Sequence, residues 1–193
     1  MRCFSCHSLS LSPICRKCHE ELFKPSVSTR RVGTLDVISL FKYANIEPFV
    51  LSKYELFGHR IFRYFSRRHM APFLEAFAEG LDRKIHMLCI DDNCDRGYSH
   101  TAILGHYAQN EKIEVLHSVL RATNRVSYAG KSLEYRLGNP RKFEYSGPRD
   151  IEVILIDDIV TTGLTLQEAH NTLLEKGVDV LFALTLADAS RSE

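Results

Sequence analysis

The sequence has no apolar run approaching the ~20 residues that a membrane-spanning helix needs. It also lacks the pattern of a secretory leader, because no apolar core follows the basic residue of MRCFSCHS. Net charge is nearly absent, +1 from 25 Lys and Arg against 24 Asp and Glu. With no leader ahead of the six cysteines, a reducing compartment is expected and structural disulfides are not. A hydrophobic share of 45% and a charged share of 25% exclude a disordered or fibrous chain. The 193 residues suit one domain of ordinary size with a small appendage. A cytoplasmic chain without a membrane span is the expectation.

The small total charge conceals segregation. Residues 1–70 carry +7, 71–120 carry −4, 121–149 carry +5 and 150–193 carry −7. Basic stretches suit a polyanion, although solvated helix faces would give the same count.

Residues 1–24 hold too few apolar side chains for a core of their own: Phe4, Leu9, Leu11, Ile14, Leu22 and Phe23. The break KPSVS (24–28) divides the chain into a module at 1–24 and a domain at 25–193. Within the domain, residues 34–43 predict a strand or short hairpin. Pro48 predicts a helix start, with a helix running on to residue 70, and Pro72 a second helix ending near Gly80. Residues 85–90 predict a buried strand, 101–110 a helix, 113–120 a strand, and 121–149 a functional excursion. The end of the chain reads as strand (151–157), turn (160–165), helix (166–177, closed by Gly177) and strand (178–187). Such a unit is a right-handed crossover, and its continuously apolar strands imply a parallel sheet covered on both faces. The predicted fold class is α/β.

Cys3-x2-Cys6-x8-Cys15-x2-Cys18 presents two thiolate pairs on tight turns, the donor set of a tetrahedral structural zinc site. Metal would then be coupled to folding of this segment. His7 and His19 stand where either could replace a thiolate, and a redox dithiol or free thiols are the other readings. Cys89 and Cys94 read as a core cysteine and a loop thiol.

The second motif is VILIDDIVTTGLT (153–165). Two carboxylates, Asp157 and Asp158, leave a buried strand, and a hydroxyl-rich turn feeds a helix. The carboxyl edge of an open α/β sheet is where ligands bind. Turn N–H groups, threonine hydroxyls and the helix dipole favour phosphate, while adjacent carboxylates suit sugar hydroxyls or an outer-shell Mg2+. Gly163 lets the turn close. An ordinary helix cap is the plain alternative.

This segment resembles the phosphoribosyl pyrophosphate (PRPP) motif of type I phosphoribosyltransferases. The resemblance implies ribose contacts for Asp157 and Asp158, and a 5′-phosphate held by Val160, Thr161, Thr162, Gly163, Leu164 and Thr165. With the cysteine pairs ahead of it, the whole chain resembles the ComF family of bacterial competence proteins. Arg96-Gly97-Tyr98-Ser99 matches that family's R-G-[FY]-[NS] element, and Arg136 and Asn139 before Phe143 match its Arg/Asn pair. The implied fold is a type I phosphoribosyltransferase-like parallel sheet flanked by helices, with a small N-terminal zinc module. Two features depart from the family. Asp91-Asp92-Asn93-Cys94 replaces a Pro-containing loop, and Tyr128 stands near the place of a Gln.

The resemblance implies a role in natural transformation, with PRPP and Mg2+ as ligands and single-stranded DNA as a partner. Work near the inner face of the membrane would follow from that role. Asp92, Arg96 and Lys131 are the candidate pyrophosphate or loop contacts, Asp92 acting through its backbone N–H or Mg2+. No residue set identifies a base pocket or nitrogen nucleophile, so turnover as a phosphoribosyltransferase stands as the alternative to binding alone. The run from Lys53 to Arg68 interleaves cations and aromatics, and Arg60, Arg63, Arg67 and Arg68 are candidate DNA contacts. Phe62 and Phe65, three apart, read equally as core. A third reading makes the chain an adaptor that docks a DNA helicase or recombination mediator.

Overall fold

The strand predicted over 151–157 runs further, Glu152–Val160, and its side chains alternate between two apolar clusters. Val153 and Leu155 enter one, Ile154 and Ile156 the other, so both faces of the strand are covered. It lies inside a six-stranded sheet of the computed structural model, which describes residues 1–90, 98–124, 126, 128 and 130–190. In chain order the strands are β1 (Ser28–Val32), β2 (Leu35–Lys42), β3 (Ile85–Cys89), β4 (Ile113–Val115), β5 (Leu120–Ala122), β6 (Phe143–Tyr145), β7 (Glu152–Val160) and β8 (Asp179–Asp188). The helices are α1 (Arg16–Leu22), α2 (Tyr43–Val50), α3 (Gly58–Phe65), α4 (Ala71–Glu79), α5 (His100–Ala108), α6 (Leu133–Gly138) and α7 (Leu164–Glu175).

The sheet order is β1-β2-β8-β7-β3-β4. Only the β1–β2 edge pair is antiparallel among these; the other pairs are parallel. Helices α2 to α5 cover one face through Ile46, Ile61, Phe65, Leu74 and Leu104. Helix α7 and the small β5–β6 sheet cover the other through Leu166, Leu173, Leu120 and Phe143. The α/β fold with a mostly parallel, doubly covered sheet is the one the strand composition predicts.

Several boundaries differ from the sequence reading. Helix α2 starts directly at the end of β2, and Pro48 lies inside it instead of opening it. The helix expected over 49–70 is interrupted by a 3₁₀ turn, Leu51–Tyr54, and restarts at Gly58. A Cβ on Gly58 would overlap the Ser52 carbonyl oxygen and Tyr98 Oη, so the close approach requires glycine. A π-helical segment, Ser66–Met70, joins α3 to α4 without a break, and Pro72 stands in the first turn of α4, where the sequence reading puts the start of that second helix. The 113–120 strand is divided: Ile113–Val115 joins the main sheet, and Leu120 begins β5.

Residues 1–24 are stitched to the sheet domain. Phe23 meets Phe49 and Phe65 edge to face at 4.9 and 5.4 Å, and Cys3, Ile14 and Cys18 enter the same buried cluster. Among the described residues no helix is long and apolar enough to cross a membrane.

Candidate functional site

From β3 the chain crosses through α5 to β4 at one edge, and from β7 it crosses through α7 to β8 on the other side. The adjacent strands β3 and β7 are therefore a topological switch point, and ligands of open α/β sheets bind outside the carboxyl ends there. Strand β3 pairs with β7 as far as Cys89 opposite Ile156, and Ile90 N donates to Ile156 O. Beyond Ile156, β7 continues beside β8, from Asp157 opposite Thr185 to Val160 opposite Asp188. Asp157 and Asp158 sit on this overhang. They belong to the strand itself and not to the loop after it.

The two acids differ in surroundings. Asp157 Oδ1 accepts from Asp158 N at 2.8 Å. Asp158 is 4% exposed, and its Oδ1 accepts from Ile159 N at 2.9 Å. Its Oδ2 accepts from Lys53 Nζ at 2.8 Å, with His100 Nε2 at 3.4 Å. Burial alone would raise the Asp158 carboxyl, but His100 and Lys53 outweigh it and hold the group well below the ordinary range. Burial would lower the Lys53 ammonium, and the Asp158 carboxylate instead holds it above its usual value.

The turn after β7 leads directly into the N-terminus of α7. Thr161 and Thr162 are exposed, and Gly163 takes φ 83° as the N-cap of α7 with no side chain to cap the helix. A twelve-residue helix thus presents its N-terminal end at the opening. Two arginines brace the turn from outside. Arg136 Nη1 donates to Thr161 Oγ1 at 2.7 Å, and Arg30 Nη2 donates to the Thr161 carbonyl. Arg30 also pairs with Asp188 at the end of β8, 3.3 Å away.

The described residues of the 121–149 excursion form packed elements. Strands β5 and β6 pair, α6 lies between them, and Glu168 of α7 accepts from Arg141 N and Lys142 N at 2.9 and 2.6 Å. Buried Tyr128 donates to Asn139 O at 2.7 Å, beneath the guanidinium groups of Arg136 and Arg141. Arg136 therefore reaches the turn, whereas Lys131 is exposed and lies over the Tyr135 ring at 5.2 Å. Asp92 and Arg96 lie outside the described residues. After them, Tyr98 donates to the carbonyls of Lys53 and Glu55, and Ser99 caps α5 by accepting from Ala102 N at 3.1 Å.

Lys53, His100 and Arg30 are the site residues that sequence reasoning missed. Lys53 opens the basic and aromatic run of the sequence, and nothing local points to its partner, which is 105 positions away. The remaining members of that run divide by burial. Phe62, Tyr64 and Phe65 are core, which leaves them no face for stacking on bases. Arg63, Arg67 and Arg68 are exposed, Arg63 and Arg67 lying over Tyr107 at 5.7 and 4.6 Å. Arg60 turns to Met1, with Nη2 2.8 Å from its Sδ.

At the N-terminus, Cys3, Cys6, Cys15 and Cys18 place their sulfurs within 4.8 Å of one another. Tetrahedral zinc with Zn–S bonds of ~2.3 Å needs sulfurs ~3.8 Å apart, so the four donors fit the ion. Cys15 N donates to Cys3 Sγ at 3.3 Å, which orients that thiolate, and the Ser8 hydroxyl draws the Cys6 thiol down to about 6. His19 is engaged elsewhere, its Nδ1 lying 2.6 Å from Tyr64 Oη. The acid pair is a different case. Asp158 does not fit a resident divalent cation, because both oxygens already accept from protein N–H groups and an ammonium stands against one of them.

No protein-family model matches the chain, and no curated protein matches it. Among solved structures it is similar to a hypoxanthine phosphoribosyltransferase from Staphylococcus aureus, at 14% identity and a TM-score of 0.40. That alignment covers 66% of this chain and 62% of the other, so the chain spans under two thirds of that relative. It is also similar to a phosphoribosyltransferase from Corynebacterium diphtheriae, with 15% identity, TM-score 0.39, and 89% and 81% of the two chains covered. A third is the orotate phosphoribosyltransferase of Mycobacterium tuberculosis, with 14% identity, TM-score 0.39, and coverage of 89% and 82%.

Proposed function

We propose that the chain binds PRPP, with the ribose 5-phosphate end held at the carboxyl edge of β7. The observation that carries this is the placement of a carboxylate pair and an open helix N-terminus at one switch-point opening. The phosphate lies against the Thr161–Gly163 turn, where backbone N–H groups, two hydroxyls and the positive end of α7 converge, with Arg30 and Arg136 adding charge. The ribose hydroxyls donate to the acid side, with Asp157 as the acceptor. Calorimetric titration with PRPP tests the reading. Asp157→Asn is expected to weaken binding by about tenfold or more, since a charge-assisted hydrogen bond is lost. Unchanged affinity would remove the ribose from this edge. Turnover is the alternative to binding alone, and pyrophosphate release in the presence of candidate bases separates the two.

A second reading concerns DNA. Handling of single-stranded DNA in the cytoplasm during natural transformation accords with the whole-chain motif order and with Arg63, Arg67 and Arg68 exposed along one helical run. Phosphates, not bases stacked on Phe62, Tyr64 or Phe65, would make the contact beside those arginines, because these three rings are buried. Affinity that falls steeply with salt and drops in Arg67→Ala/Arg68→Ala supports direct contact; binding unaltered by those changes moves the role to a protein partner such as a helicase or recombination mediator.

A further inference from the structure

We propose that Lys53 is a built-in cation of the ligand site, a positioning residue that stands at Asp158 where a divalent ion would otherwise sit. The site then takes a phosphorylated pentose with no metal on its acid pair. This rests on the reading of the β7 edge as a pentose-phosphate site.

The support begins in the backbone. The 3₁₀ turn Leu51–Tyr54 that carries Lys53 is held from three sides. Tyr98 Oη donates to the carbonyls of Lys53 and Glu55, buried Ser52 donates to Phe49 O, and Gly58 closes against both Ser52 and Tyr98. The lysine is thereby delivered to one place. Its Nζ reaches Asp158 Oδ2 at 2.8 Å, with side-chain exposures of 15% for Lys53 and 6% for Asp158. Asp158 Oδ1 is taken by Ile159 N. A metal would have to displace an ammonium held in a dry setting and shed part of its own hydration shell, which Mg2+ does reluctantly. The ammonium also sets the field that Asp157 feels, so one fixed charge serves two carboxylates.

Ribose 5-phosphate is the suitable probe, because without a pyrophosphate it brings no strong metal chelator of its own. Titration of the full chain is expected to give the same affinity in EDTA and in Mg2+. Lys53→Gln keeps an N–H donor for Asp158 but removes the charge. It is expected to bind about tenfold more weakly in EDTA and to recover in Mg2+, while Lys53→Arg stays near wild type. A wild-type affinity that requires Mg2+, or a Lys53→Gln affinity in EDTA equal to wild type, overturns the role of Lys53 and leaves the pentose-phosphate reading standing. No binding by the wild type in either buffer overturns both. Should Lys53→Gln fail to fold, paramagnetic Mn2+ on the unliganded wild type decides: the expected spectrum shows no ion at the acid pair, and broadening of resonances around Asp157 and Asp158 overturns the proposal.

Discussion

Gly163 holds φ 83° where the chain leaves β7, and a Cβ there would stand 2.6 Å from Val32 Cγ1 on the neighbouring hairpin. Both the backbone angle and the contact exclude a side chain, and the same turn presents Thr161 and Thr162. Gly163→Ala is expected to cost about 1–3 kcal/mol in urea unfolding and to weaken ribose 5-phosphate binding together with stability. A wild-type unfolding curve would show that the turn relaxes without cost. Asp157 and Asp158 show how much one position matters. They are neighbours of identical chemistry, yet Asp158 is clamped by Lys53 and a backbone N–H, while Asp157 bonds its successor's N–H. Sequence cannot distinguish the two, because what separates them is which way each projects from the strand.

At the scale of elements, the π-helical segment Ser66–Met70 is where α3 hands over to α4, and it carries His69 into an aromatic surround of Phe41, Phe65 and His19. Burial, aided by His19 and Arg68 nearby, pushes the His69 imidazole down to about 4, so it is neutral at pH 7. The unfolded chain binds a proton at about pH 6.5 that the folded chain refuses until about pH 4. The stability this neutral residue contributes is therefore complete above pH 6.5 and is lost as pH falls toward 4, about 3 kcal/mol. The melting temperature of wild type should fall relative to that of His69→Phe as pH drops through that window. Parallel curves would show that His69 does not titrate with unfolding. In the helix expected over 49–70 the interruption ends at Gly58, which is packed against Ser52 and Tyr98, the latter forty positions along and so not legible from local pattern.

Across the whole molecule, the cysteine module and the sheet domain share a core. Removal of zinc by a chelator is expected to release the 1–24 segment, uncover Phe23 and the Phe49–Phe65 surface beneath it, and lower the melting temperature by several degrees. Limited proteolysis should then cut before residue 25 while β7, α7 and β8 stay protected. A melting curve insensitive to chelation, in protein shown to carry zinc beforehand, would mean the module is held by its apolar contacts alone.

The sequence by itself determined the β7–α7–β8 unit, the doubly covered parallel sheet and the four-thiol cluster. Each of these rests on residues close in the chain: apolar runs, a TTG turn with its glycine, and paired cysteines three apart. Tertiary structure alone decided the electrostatics of the site. Lys53 meets Asp158 across 105 positions, Arg30 meets Thr161 across 131, and Arg136 arrives through a docked hairpin. Periodicity and turn chemistry report local backbone preference, whereas a buried charge takes whichever partner the packed layers bring within reach.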